Sequence, residues 1–335
     1  MNRLVLPALS AGELTGFLAA LGTARLCTVH LRRSVRVGWP DGYRNPAVLE
    51  GDLPVTIDEL AVELEGLASA CVTAKELLPG VGSGFPPLKQ GKESDPTRRL
   101  TVTAARGLSM TADRLDEEGA TEMSEWVLAM FATNNAKELV ETLETSAGEK
   151  ALKIRSLIAD RSRLFDGGPG TVSMSKTLTD ARNAAATPGA IHHALVDWRR
   201  TEKQTGAYLD WRADRDATTL AQPNANPLYG EPAATWLALM ALPFLPSVAS
   251  SSGVATVPGW ARRKLSWPVW RAPLDLDAIR ILLSHPSVAP PFESLPKPRV
   301  QDLRALGVDA ILQSERTRKG NNDGAFSAAR LVWPV

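Results

Sequence analysis

Leu265-Ser-Trp-Pro-Val-Trp270, followed by Arg271, Pro273-Leu274-Asp-Leu-Asp277, Ile279-Arg280 and Leu282-Leu283, is the stretch on which the reading of this chain turns. Trp267 and Trp270 stand three apart, and Pro268 and Pro273 stiffen the backbone between and after them. No acid occurs until Asp275, which stands where a helix cap would. Two readings are open. Either the rings face outward beside guanidinium groups, as on a surface touching nucleotides or another subunit, or both tryptophans are core anchors, since large aromatics dominate burial. In the second case the flanking cations carry the contact and the rings form the rigid wall that aims them.

The surroundings narrow the class. A chain of 335 residues with 44% hydrophobic and 22% charged residues is globular and can bury a full core. With 25 glycines and 24 prolines, connections are many, which favours a mixed fold over an all-helical one. No run of about 18 apolar residues is present. Met1-Asn2-Arg3 and a short apolar stretch give way to Glu13, without a signal-peptide pattern. A cytoplasmic protein is expected. Cys27 and Cys71 are too few for a zinc ribbon and read as thiols. The net charge of +1 excludes a polyelectrolyte, so any nucleic-acid contact is local.

Ser10-Ala-Gly-Glu13 and Thr56-Ile-Asp-Glu59 both have the form of a capping box, predicting helices to about Arg25 and towards Leu77. Between them, Val29, Leu31, Val35 and Val37 alternate with polar residues, which predicts a half-buried strand from Cys27 to Gly38 with a bulge or turn at Arg33. Residues 79–99 read as a long loop and Leu100 opens a strand-like run. A mainly helical centre is expected from about 120 to 165, then helices at 173–186 and 189–200, a strand at 206–212 and a buried helix at 231–242. Val308 to Glu315 and Phe326 to Trp333 predict a hairpin with a basic tip at 316–324. The fold class is α+β, mixed sheet elements with a mainly helical central region. Three regions follow: 1–110, α/β; 111–205, mainly helical; 206–335, α+β with the terminal hairpin. The first and last can pack as one domain.

The catalytic inventory is thin. Among the four histidines, only His192 and His193 with Asp197 suggest a metal-dependent phosphohydrolase, because His193 and Asp197 would share a helix face. Asp210, Asp214 and Asp216 could pair on magnesium, but Arg212 and Arg215 favour a salt-bridged face. Gly82, Ser83 and Gly84 offer backbone amides to phosphate without the Lys-Ser/Thr pair of a nucleotide loop. Asp166-Gly-Gly-Pro-Gly170 reads as a turn. No catalytic residue, metal or cofactor is assigned.

Charge distribution is more telling. Pro232 to Leu274 contains no acid, yet Arg262, Arg263, Lys264 and Arg271 sit among Trp260, Trp267 and Trp270. Residues 14–40 are also free of acid and hold Arg25, Arg32, Arg33 and Arg36. Arg316, Arg318 and Lys319 form a third basic group. One such group is usually a solvated face; three point to nucleic acid, with cations on phosphates and rings on bases.

Ser266-Trp-Pro-Val-Trp270, Arg271-Ala-Pro-Leu274 and Asp277-Ala-Ile-Arg-Ile-Leu-Leu283 resemble the signature of CRISPR-associated large-subunit-type proteins of type I-U, now I-G. Leu265-Ser266 departs from it at the first position. Similar pieces are Thr15-Gly-Phe-Leu-Ala-Ala-Leu-Gly22, Trp236-Leu-Ala-Leu-Met-Ala-Leu-Pro-Phe-Leu-Pro246 and Gly307-Val-Asp-Ala-Ile-Leu-Gln-Ser-Glu-Arg316, with shorter matches at Gly82-Ser-Gly-Phe85 and Thr133-Asn-Asn135. The resemblance implies a non-catalytic subunit of a crRNA-guided surveillance complex, part of an antiviral defence system in which a separate helicase-nuclease cuts. Its partners would be crRNA, target DNA, and the backbone and repeat-binding subunits. It would engage the target-flanking motif and opened DNA, or alternatively the repeat-derived end of the guide. On that footing Arg262, Arg263, Lys264 and Arg271 contact phosphates, Trp260, Trp267 or Trp270 stack on bases, Arg316, Arg318 and Lys319 grip a backbone, and Gly82, Ser83 and Gly84 approach phosphate. The central region is short for a large subunit, which leaves the strand-stabilising role open.

Overall fold

The computed structural model describes residues 1–70, 99–101, 121–130, 142–144, 150–153, 174–200, 202–203, 209–210, 212, 229–246, 248–249, 255–261, 263–288, 292, 296–319 and 322–334. Strand β1 (Asn2–Ser10) buries Leu4, Leu6 and Leu9 and turns Arg3, Val5 and Pro7 outward. The step from Leu6 to Leu9 breaks the period of two, and the register shifts there. With β2 (Val35–Gly38) and β3 (Pro46–Gly51) it forms an antiparallel sheet in the order β1-β3-β2.

Helix α1 (Leu14–Arg25) is buried along its whole length, as a helix apolar on every side must be. It lies between β1 and a second fully buried helix, which we number α6 (Pro232–Leu239). Gly22 permits the crossing: a Cβ there would lie 1.7 Å from the Leu237 carbonyl oxygen. Among the described residues, the helices between these two are α2 (Ile57–Ala70), α3 (Thr121–Met130), α4 (Met174–Ala185) and α5 (Ala190–Val196). Two more, α7 (Leu276–Ser284) and α8 (Lys297–Ala305), flank the second sheet. Glu125 ties α3 to its neighbours, receiving Arg25 of α1 at 3.4 Å and Arg280 of α7 at 2.5 Å.

That sheet consists of β4 (Trp260–Ala261), β5 (Lys264–Trp270), β6 (Val308–Lys319), β7 (Asn322–Phe326) and β8 (Arg330–Trp333). β6 is its spine, paired antiparallel with β5 from Lys264↔Glu315 to Trp270↔Val308 and with β7 and β8 on its other partners. Pro268 is tolerated inside β5 because β4 covers only the start of that strand, so the missing N–H is not needed by the ladder. Gly259 makes the entry, with φ at 78° and its Cα pressed against the Ser266 carbonyl. A bridge between Val37 and Leu274 joins the two sheets, and one continuous core runs through both. The architecture is α+β.

Several expectations change. The strand expected from Cys27 is a π-helical turn at Leu26–His30 continuing α1, and only Val35–Gly38 is extended. Within the expected helical centre lie short strands at Thr142–Glu144 and Lys150–Lys153, which pair with each other, and the second also pairs with Arg99–Thr101. The strand expected at 206–212 is absent among the described residues there; Glu202–Lys203 pairs with Tyr229–Gly230 instead. The terminal hairpin is longer than its apolar runs, because pairing continues through Arg316 to Lys319 and the return strand breaks at 327–329. The loop at 79–98 and the turn at 166–170 lie outside the described residues. No helix among the described residues is long and apolar enough to cross a membrane.

Candidate nucleic-acid interface

The tryptophans of β5 point inward. Trp267 and Trp270 are 2% and 1% exposed, and each indole N–H donates to a main-chain carbonyl of the N-terminal region: Trp267 Nε1 to Ala11 O at 3.0 Å, Trp270 Nε1 to Val37 O at 2.8 Å. Phe17 and Trp39 complete the cluster, with Phe17–Trp267 ring centres 5.9 Å apart and Trp39–Trp270 edge to face at 5.3 Å. Trp260 packs against Phe326. Stacking of Trp267 or Trp270 on a base is therefore corrected: a ring with its N–H satisfied and both faces covered has nothing to offer a nucleotide.

The cations are regrouped by the fold. Arg263, at φ 71° in the β4–β5 turn, exchanges hydrogen bonds with Arg316: the Arg316 amide donates to Arg263 O at 2.8 Å, and the Arg263 guanidinium donates to Arg316 O at 3.0 Å. This brings Arg263 and Lys264 to the end of β6 that carries Arg318 and Lys319 in register with Asp323 and Asn322. Arg271 is at the opposite end of β5, roughly 20 Å away at strand spacing, and its Nε donates to Asp309 at 2.7 Å. Arg316 is 1% exposed with its guanidinium over the Phe326 ring, so it supports the strand and does not meet phosphate.

Residues 14–40, free of acid in sequence, acquire acids on folding. Arg33 is bound by both carboxylate oxygens of Glu63, and Arg36 stands opposite Glu50, itself 3.5 Å from Arg3. Arg32, at φ 56°, and Arg36 are exposed. Arg262, Gly82, Ser83 and Gly84 lie outside the described residues.

The histidine pair is also brought together. His193 Nδ1 is 2.8 Å from Asp197 Oδ1, and the donor atoms of His192, His193 and Asp197 all lie within 4.8 Å of one another. The hydrogen bond from His193 holds the Asp197 carboxyl below its ordinary pKa. Asp58 of α2 approaches His192 Nε2 at 3.0 Å. Its place was invisible in sequence, where 134 positions separate the two. Asp210 is buried on Arg200 at 3.0 Å and accepts the Arg212 amide, so it closes a salt bridge and does not face solvent. Asp214 and Asp216 lie outside the described residues.

No family model, curated protein or solved structure matches this chain.

What the geometry offers is one basic sheet end. Arg263 and Lys264 lie beside Arg316 there, and β6 runs on through Arg318 and Lys319, with Glu315 and Asp323 among the described residues at the same strand end. Arg316 is buried, so any phosphate contact at this end falls to the other cations.

Proposed function

We propose that this chain is a non-catalytic, nucleic-acid-binding subunit of a type I-G crRNA-guided surveillance complex, engaging the target-flanking motif and opened DNA so that a separate helicase-nuclease can be recruited. The observation that carries the reading is that the backbone brings Arg263 and Lys264 to the same end of the β5–β6–β7 sheet as Arg318 and Lys319, 55 residues further along the chain. The resemblance adds to it: its quoted segments correspond to α1, α6, β5, α7 and the first part of β6, which pack on one another. On this reading the buried motifs belong to the scaffold and contact is left to the cations at its rim.

The test is binding of the assembled complex to target duplexes with intact and altered flanking motifs. Lys264→Ala combined with Lys319→Ala is expected to abolish discrimination between the two duplexes while the assembly persists. Unchanged discrimination with weakened crRNA retention would move the site to the repeat-derived end of the guide. Affinity that ignores salt would leave a protein scaffold only.

A second reading, a metal-dependent phosphohydrolase, has in its favour the proximity of His192, His193 and Asp197. Metal-dependent phosphodiester hydrolysis lost in His193→Ala would establish it; equal background in both proteins would remove it.

A further inference from the structure

The side chains around α5 form a set whose donors come from two helices. Gly189, in the left-handed region at φ 81°, starts α5. Ala190, Ile191, Ala194 and Leu195 are buried, and α5 packs on β1 and α2. That burial fixes the rotation of the helix and leaves His192 and His193 on its accessible side. At Asp197 the backbone turns extended, with φ −150° and ψ 100°, and the carboxylate returns to His193. Across the gap, Asp58 in the first turn of α2 meets His192.

We propose that His192, His193, Asp197 and Asp58 form a zinc-class divalent cation site that clamps α5 to α2. Three features argue for it, none of which depends on the nucleic-acid reading. The first is donor type: two imidazole nitrogens and two carboxylates suit zinc and its first-row neighbours, whereas magnesium and calcium take oxygen-rich sets. The second is charge, because two neutral imidazoles and two carboxylates balance one dication, and each imidazole nitrogen already faces a carboxylate oxygen at 3.0 Å or less. The third is reach. Zinc bonds of about 2.0–2.1 Å put tetrahedral donors roughly 3.3 Å apart; the donors of His192, His193 and Asp197 lie within 4.8 Å of one another and Asp58 stands 3.0 Å from His192, so small side-chain rotations bring them around the ion.

Four protein donors also distinguish this site from a hydrolytic one. A catalytic zinc keeps a position open for water, while a structural zinc is enclosed by protein. With Asp58 included four protein donors are available to one ion, and their effect is to hold two helices together.

The experiment uses the full chain after chelator treatment, titrated with zinc chloride in a calorimeter and with cobalt(II) as a visible-absorption probe. The expected result is one equivalent bound, a tetrahedral cobalt spectrum and a higher melting temperature with zinc. His192→Ala/His193→Ala should lose all three, and Asp58→Asn should weaken binding at least tenfold, its circular dichroism unchanged. Magnesium should give no heat. Equal zinc uptake by the wild type and the double histidine variant, or none by either, overturns the site. Full affinity in Asp58→Asn, or zinc-dependent phosphodiester hydrolysis that the histidine variant lacks, overturns the closed clamp.

Discussion

At Gly22 a single added methyl would sit 1.7 Å from the carbonyl oxygen of Leu237 and 3.2 Å from the Ala241 amide nitrogen. The obstruction is main chain on a fully buried helix, so it cannot swing aside. Gly22→Ala is expected to cost about 3 kcal/mol, the upper range for overpacking, and to lower the urea midpoint. Cys27, at the start of the π-helical turn, is buried completely, and burial pushes its pKa up to about 12 despite the nearby Arg33 charge. An unfolded thiol ionises near about 8.5, so above that pH the unfolded chain releases a proton that the folded chain keeps. The contribution of this group to stability is intact below pH about 8.5 and declines by about 1.4 kcal/mol per pH unit until about pH 12. Peptide mapping after iodoacetamide treatment at pH 8 should find Cys27 unmodified in the native protein and alkylated in urea. Modification at equal rates in both would show that the turn opens.

The two capping-box patterns show how far an element can be read from its own residues. At Thr56 the box forms as the pattern predicts: the Glu59 amide donates to Thr56 Oγ1 at 3.2 Å and the Thr56 amide to Glu59 Oε2 at 3.1 Å. Thr56→Ala should lower stability by about 1 kcal/mol, measured by thermal denaturation, with Thr56→Ser restoring most of it. Ser10-Ala-Gly-Glu13 has the same form and a different outcome. β1 extends through Ser10, whose hydroxyl donates to Tyr43 O, and Glu13 becomes the N-cap with its carboxylate taken by Arg200 and Arg212. Those arginines lie nearly two hundred residues downstream, so no local pattern could reveal them. The alternation at 27–37 misleads for a related reason: Leu26 and Cys27 are buried against α1, and the wide Leu31 N–H to Leu26 O bond at 3.1 Å prolongs the helix. The buried helix at α6 and the basic hairpin were legible because their signals are contained within single segments. The inward aim of Trp267 was not, since it depends on Phe17 and Ala11.

Across the whole molecule, stretches free of acid in sequence are not free of acid in space. Arg33 meets Glu63 and Arg271 meets Asp309, each partner arriving from another element. Surface pairs like these contribute little stability, but they reduce what a phosphate can gain at those positions. Lys264→Ala is accordingly expected to reduce the salt slope of nucleic-acid binding by about 1, and Arg271→Ala to change it little, as read from titrations at several salt concentrations. Reversal of the two effects would place the contact at the other end of β5. The hydrogen bond from Trp267 to Ala11 spans 256 positions, and that separation sets a timetable for biosynthesis. Phe17 and Trp39 leave the ribosome early, and the strand that covers them is made more than two hundred residues later. These contacts therefore close only after β5 has been translated, and the packing of Phe17 and Trp39 is among the last steps of folding to be completed.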